Sequence, residues 1–244
     1  MIAIQTKNLT KKFRNKTAVN GLNLTINHGE LYTLLGVNGA GKTTTIKMLT
    51  CLSKPTSGDA MLLGDSIASS TYNVKEKINV SPQETAVARN LSVKENLEFI
   101  ARIYGFDKKD IAAKVQEMLS TFKLEDYSRD KAKTLSGGLQ RRLSIAMALI
   151  SDPKILFLDE PTLGLDVLAR RELWTAIEKL KGEVTIILTT HYMEEAQALS
   201  DRVGIMAKGE LKAVGTVAEL MAMTNTKTLE DAFVSLAAME EDKS

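Results

Sequence analysis

Residues 36–43, Gly-Val-Asn-Gly-Ala-Gly-Lys-Thr, set three glycines, a lysine and a hydroxyl at the spacing G-x-x-x-x-G-K-[ST]. Glycine lets the backbone curl so that successive N–H groups face inward as a cradle for oxyanions. A helix beginning at Lys42 adds the positive end of its dipole. Lys42 then puts a compact cation on the β- and γ-phosphates of a nucleoside triphosphate, and Thr43 offers a hydroxyl to Mg²⁺. Gly36, Asn38, Gly39, Ala40, Gly41, Lys42, Thr43 and Thr44 are the expected phosphate-side contacts. A chance glycine turn is the plain alternative. It is disfavoured by the apolar run Leu31–Leu35 before the loop and the helical pattern after it. The loop alone leaves ATPase, GTPase and kinase open.

A second cluster ends the run Ile-Leu-Phe-Leu at 155–158 with Asp159 and Glu160. In open parallel sheets, strand ends deliver side chains to the ligand-bearing rim. Adjacent residues point differently, so Asp159 is read as a Mg²⁺ ligand and Glu160 as the general base that polarises a water. An acidic cap for a helix after Pro161 is the other reading. Upstream, Leu135-Ser136-Gly137-Gly138-Leu139-Gln140-Arg141-Arg142 has the chemistry of another anion site. Ser136 caps a helix, and Gly137 and Gly138 leave its first amides uncovered. Its place on a separate helical block suggests service to another subunit's nucleotide; a glycine-containing helix start is the alternative.

These groups need elements to hold them. Leu22, Leu24 and Ile26 alternate with polar residues as in a half-buried strand, and Leu31–Leu35 reads as a buried one. Lys42–Leu52 reads as a helix. Ser92 and Glu95 make a capping box, followed by apolar residues at helical spacing at Val93, Leu97, Ile100 and Tyr104. After Gly105-Phe106-Asp107 the spacing resumes at Ile111, Val115, Met118 or Leu119, and Phe122. A third helix is expected over 137–150, making the middle a helical insertion. The segments 155–158 and 185–188 then read as short buried strands flanking an amphipathic helix with Leu173, Trp174, Ile177 and Leu180. Residues 203–214 read as a β-hairpin around Lys208-Gly209, and Leu229, Phe233 and Leu236 form a short apolar stripe before the polar end. Strand–helix alternation implies a parallel α/β sheet.

Composition narrows the class. With 44% hydrophobic and 25% charged residues, the 244-residue chain can bury a core. A net charge of +2, from 32 basic and 30 acidic residues, supplies no field for non-specific nucleic-acid binding. Two histidines and one cysteine offer neither a metal cluster nor a disulfide framework. No signal-peptide pattern is evident, and no apolar run approaches the roughly 20 residues that span a bilayer. A membrane role would require another chain.

In this order and spacing, the phosphate loop, Leu-Ser-Gly-Gly and Ile-Leu-Phe-Leu-Asp-Glu resemble the nucleotide-binding domain of ABC transporters over nearly the whole chain. The resemblance implies a P-loop NTPase with a RecA-like α/β core (1–83 and 152–225), an antiparallel β subdomain, a helical subdomain (84–151) and a short C-terminal helix and tail (226–244). It implies ATP and Mg²⁺ as ligands, Phe13 as an adenine-stacking aromatic, Gln83 as a sensor of Mg²⁺ and γ-phosphate that faces a membrane subunit, and His191 as a grip on the γ-phosphate. It also implies that Ser136, Gly137, Gly138 and Asp166 act in trans, across a head-to-tail pair of ATP-binding subunits, homodimeric or heterodimeric. The further expectation is a cytoplasmic subunit held at the inner membrane face by a polytopic permease. The chain departs from the family's usual pattern at Leu139, commonly glutamine, and at Val167, commonly proline. Leu139, Arg141-Arg142 and His191-Tyr-Met-Glu-Glu-Ala resemble the bacterial drug, sodium and polysaccharide export branch. A non-transport ABC ATPase of DNA repair or ribosomes is the alternative.

Overall fold

The computed structural model describes residues 1–238. The chain opens with β1 (Ile2–Phe13), β2 (Lys16–Leu22) and β3 (Thr25–Asn27), then β4 (Leu31–Leu35) and α1 (Lys42–Leu49). β5 (Ser57–Leu62), β6 (Asp65–Ser66), α2 (Thr71–Lys77) and β7 (Ile78–Ser81) follow. Three helices come next: α3 (Val93–Ile103), α4 (Lys108–Thr121) and α5 (Gly137–Leu149). The remainder is β8 (Ile155–Asp159), α6 (Val167–Glu178), β9 (Thr185–Thr190), α7 (Met193–Leu199), β10 (Arg202–Ala207), β11 (Glu210–Gly215), α8 (Val217–Thr224) and α9 (Leu229–Ala238).

Two sheets result. One is antiparallel in the order β2-β1-β5-β6, with β3 also on β1. The other runs β11-β10-β4-β9-β8-β7, parallel from β10 to β7, with β11 as an antiparallel edge. The two-residue period of a strand divides the parallel sheet's burial between its faces. Ile155, Phe157 and Ile187 pack with α1 and the antiparallel sheet, whereas Leu156, Leu158 and Leu188 pack with α3, α5 and α6. Both faces are therefore covered, as parallel sheets require. A third cluster joins Leu35, Val203 and Ile205 to Leu220 of α8 and to Leu229, Phe233 and Leu236 of α9. The apolar stripe near the C-terminus is thus a packed helix face; residues 239–244, the polar end of the expected tail, lie outside the described residues.

Three expectations are corrected. Leu22, Leu24 and Ile26 are all buried, yet Leu22 ends one strand, Ile26 lies in the next, and Leu24 falls in the break between them. Both strands pair with β1 in different registers, Leu9 opposite Leu22 and Ile4 opposite Ile26. At the break the Thr6 hydroxyl replaces the ladder, donating to Leu22 O and accepting from Leu24 N, each at 2.8 Å. Helix α1 stops at Leu49, short of Leu52. Cys51 turns left-handed (φ 57°), and the amides of Leu52 and Ser53 both return to Lys47 O, a Schellman-like closure. Tyr104 is the half-exposed C-cap of α3, and Ala101 occupies the buried stripe.

Candidate functional site

Parallel registers align Leu35 with Thr190, and Asp159 with Thr189, so β4, β8 and β9 end on one rim. The chain leaves β4 at Gly36, whose amide still donates to Thr190 O at 3.2 Å. A Cβ on Gly36 would lie 2.4 Å from Met206 O. Gly41, the N-cap of α1, has φ 108°, and a Cβ there would lie 2.5 Å from Ala18 O. Only glycine lets the loop pass this close to β2 and β10.

The loop borders a cleft of about 490 Å³, a size suited to a small-molecule ligand. Asn38, Gly39, Gly41, Lys42, Thr43 and Thr44 line it, with Phe13, Lys16, Ala18, Gln83, Glu160, Leu163 and His191. Gly36 and Ala40 shape the loop from behind, Ala40 being buried. Lys42 Nζ donates to Gly36 O at 2.7 Å and to Val37 O at 3.3 Å, and lies 3.1 Å from Glu160 Oε1. Glu160 Oε2 lies 2.6 Å from His191 Nδ1. With the carboxylate ionised, Nδ1 is the donor and Nε2 is the nitrogen left for a ligand. One buried carboxylate thus joins a lysine from the loop and a histidine from the end of β9.

Asp159 Oδ1 accepts from Thr189 Oγ1 at 2.5 Å and from Thr43 Oγ1 at 3.2 Å. A hydroxyl and a carboxylate side by side make an all-oxygen donor pair of the kind Mg²⁺ takes. Among the described residues no cluster of three or more His, Cys, Asp or Glu forms a complete protein cage. A Mg²⁺ ion here needs phosphate oxygens and water to fill its shell, as that ion usually does. The residues fit.

Phe13 is not a core residue. It is 51% exposed at the cleft's edge, with the Lys11 ammonium 5.0 Å from its ring centre. Gln83 is exposed on the loop after β7. Ser136, Gly137, Gly138 and Asp166 do not line this cleft. They sit at the starts of α5 and α6, where Ser136 Oγ accepts from Leu139 N at 3.3 Å and Asp166 Oδ1 from Ala169 N at 2.9 Å. Those two helix starts abut: a Cβ on Gly138 would lie 2.9 Å from Ala169 Cβ. Leu139, the departure from the family's pattern, is buried in the cluster of α3–α6, a place where the amide of glutamine would need partners.

Some functional neighbours escape sequence reading. Lys16 and Ala18 reach the cleft because β2 folds back on β1, with Phe13 opposite Lys16; the two-residue turn Arg14-Asn15 is a weak signal for it. Thr189 reads as an ordinary strand residue, yet its main-chain oxygen and hydroxyl both accept from Glu160 N at 3.1 Å. Glu195, fully buried, accepts from Trp174 Nε1 at 3.1 Å, and burial raises its carboxyl above the usual range.

A backbone nest at a helix start, feeding an acidic strand end at the rim of an open parallel sheet, defines the class: a P-loop nucleoside triphosphatase. The model of the ABC transporter family matches residues 19–163. This chain belongs to the ABC transporter family, as one of its ATP-binding domains. Human phospholipid-transporting ATPase ABCA3 is 43% identical over 217 residues, which cover 87% of this chain and 13% of that protein's length. The Nod factor export ATP-binding protein I of Burkholderia lata is 42% identical over 214 residues, covering 87% of this chain and 70% of that protein. The ATP-binding subunit of an ABC transporter superposes with a TM-score of 0.85 at 26% identity, covering 96% of this chain and 99% of its own. A dimeric ATP-binding cassette in a post-hydrolysis state, bound to ADP and Pi, gives 0.79 at 27% identity, covering 87% and 98%.

Proposed function

We propose that this chain binds Mg-ATP in the cleft and hydrolyses it as the motor of a membrane exporter. One observation carries the reading: the Glu160 carboxylate meets Lys42 with one oxygen and His191 with the other, at the mouth of the phosphate loop. Lys42 and the loop amides hold the β- and γ-phosphates. Glu160 takes a proton from the attacking water, and His191 steadies both Glu160 and the γ-phosphate. Thr43, Asp159 and Gln83 would hold Mg²⁺, which supplies charge neutralisation between the phosphates. A phosphate oxygen reaching Lys42 competes with Glu160 for one ammonium, so substrate binding loosens the base for its water. Purified chain should hydrolyse ATP only with Mg²⁺; equal turnover in EDTA would refute the assignment.

Phe13 supplies the adenine platform. Phe13→Ala should weaken ATP binding by about 1–3 kcal/mol, the worth of one base–aromatic stack, while Phe13→Tyr stays near parental. Titration with a fluorescent ATP analogue measures both, and an alanine variant of unchanged affinity would return Phe13 to a packing role.

Two copies of the chain, or this chain and a related one, close on ATP with the patch formed by the α5 and α6 starts set against the partner's phosphate loop. Ser136, Gly137, Gly138 and Asp166 act there in trans, and a two-fold pair makes two such sites. Among the described residues no helix is long and apolar enough to cross a membrane, so a polytopic permease is proposed as a separate part. It docks on the segment from Gln83 to Tyr104, where α3 presents Phe99 and Ile103, 51% and 62% exposed. The subunit would then work at the cytoplasmic face, with residues 84–151 as the coupling block. Phe99→Asp or Lys94→Glu should abolish transport by the assembled complex and leave the chain's own ATPase rate unchanged. Crosslinks to the permease that map only elsewhere would refute this surface. Export is favoured by the Nod factor relative and by the sequence around Leu139.

A further inference from the structure

Two arginines follow each other in α5, and helical geometry sends them apart. Arg142 reaches toward the end of α4 and toward α6, donating to Phe122 O at 3.3 Å and pairing with Glu172 at 2.9 Å. Arg141 turns inward and is buried. Its acceptors are all main-chain oxygens: Nη2 donates to Asp159 O at 2.7 Å and Nε to Pro161 O at 2.9 Å. Nη1 donates to Pro82 O and, at 3.4 Å, to Gln83 O. Burial pushes the guanidinium down to about 10, against the opposing pull of Asp159, Glu195 and Glu160. A cation this costly to bury holds its place through rigid, multiple hydrogen bonds, which the planar fork of arginine supplies and lysine does not.

Glu160 stands in the chain between the two carbonyls that this fork grips. Its φ is 49°, in the left-handed region that a non-glycine residue rarely adopts. Such strain persists only where the surroundings over-determine it. From the β9 side the Glu160 amide is fixed to Thr189. From the α5 side, Arg141 fixes the residue before it and the residue after it.

We infer that Arg141 is the positioning residue for Glu160. Its fork, closed on the carbonyls of Asp159 and Pro161, holds Glu160 in the left-handed turn that aims its carboxylate at Lys42 and His191. The same side chain binds that turn to the Pro82–Gln83 loop and to the helix headed by Ser136. The base, the γ-phosphate sensor and the in-trans anion site therefore share one internal joint. The inference rests on the reading of Glu160 as general base.

Arg141→Met and Arg141→Lys test it, with Glu160→Gln as the reference. The methionine variant removes all four donated bonds; the lysine variant keeps the charge and loses the fork. Arg141 does not line the cleft, so both variants should bind ATP with parental affinity. The kcat of Arg141→Met should fall about 100-fold, the scale set by misplacing a catalytic group by about 1 Å. Arg141→Lys should lie between methionine and the parent. Parental kcat in Arg141→Lys would overturn the inference, as would affinity and kcat falling in parallel. Failure of both variants to fold would mark a purely structural residue and overturn it too. If Glu160→Gln still turns over ATP at the parental rate, the reading of the base itself has failed and the inference goes with it. An inactive Glu160→Gln beside a fully active Arg141→Met removes the positioning role alone.

Discussion

Glu160→Gln is expected to bind Mg-ATP and to hydrolyse it about 10²–10⁴-fold more slowly than the parent, the range attributed to a positioned general base. The amide keeps the shape of the carboxylate and its hydrogen bond to His191 while giving up the proton-accepting oxygen. Uncleaved ATP then remains between two subunits, so the variant should run as a dimer with ATP and Mg²⁺ and as a monomer without nucleotide. Adding Ser136→Arg separates the two halves of the proposed site. The new side chain fills the space before the α5 amides, where the partner's γ-phosphate is to sit, and leaves the phosphate loop of its own chain alone. The double variant should bind ATP yet stay monomeric in light scattering at high protein concentration. A double variant that dimerises as well as Glu160→Gln would deprive Ser136 of any role across the interface.

Lys42→Ala should have two effects that can be measured apart. ATP affinity should fall about 10–100-fold, since a hydrogen bond to a charged partner is worth roughly 1.5–3 kcal/mol. Stability should fall as well. Lys42 and Glu160 are both buried, and removing one member of a buried pair costs about 3–5 kcal/mol because the other charge is stranded; contact with His191 reduces that figure. Glu160→Gln in the Lys42→Ala background removes the stranded charge and should raise the melting temperature again without restoring nucleotide binding. If calorimetry shows Lys42→Ala alone to be as stable as the parent, Glu160 is sufficiently held by His191 and the coupling is small.

The parts of the site legible in the sequence are those whose chemistry is local. The phosphate loop is one run of residues, and its glycines answer to close approaches at Ala18 and Met206. Asp159 and Glu160 stand at a strand end recognisable from its own apolar residues. The helices of the middle block were legible because Ile111, Val115, Met118 and Phe122 face one cluster at helical spacing. Features made by register were not. Nothing around Thr189 announces that parallel pairing will set it opposite Asp159. Nothing around Arg141 announces burial either, because a charged residue on a helix is exposed by default. The segment from Ser57 to Ser81 stayed silent for a related reason. β5 opens on the polar Ser57-Gly58-Asp59, and β6 and β7 are short edge strands with little apolar alternation to show.

Gly138 and Ala169 leave no room between the starts of α5 and α6. A side chain at position 138 acts as a wedge against Ala169, so it bears on both helix ends. The patch proposed to face a partner subunit is therefore one surface with a fixed spacing, assembled from segments far apart in the chain. Enlarging substitutions at positions 138 and 169 should consequently fall into one phenotypic class in a survey of variants, and Ala169→Gly should relieve Gly138→Ala.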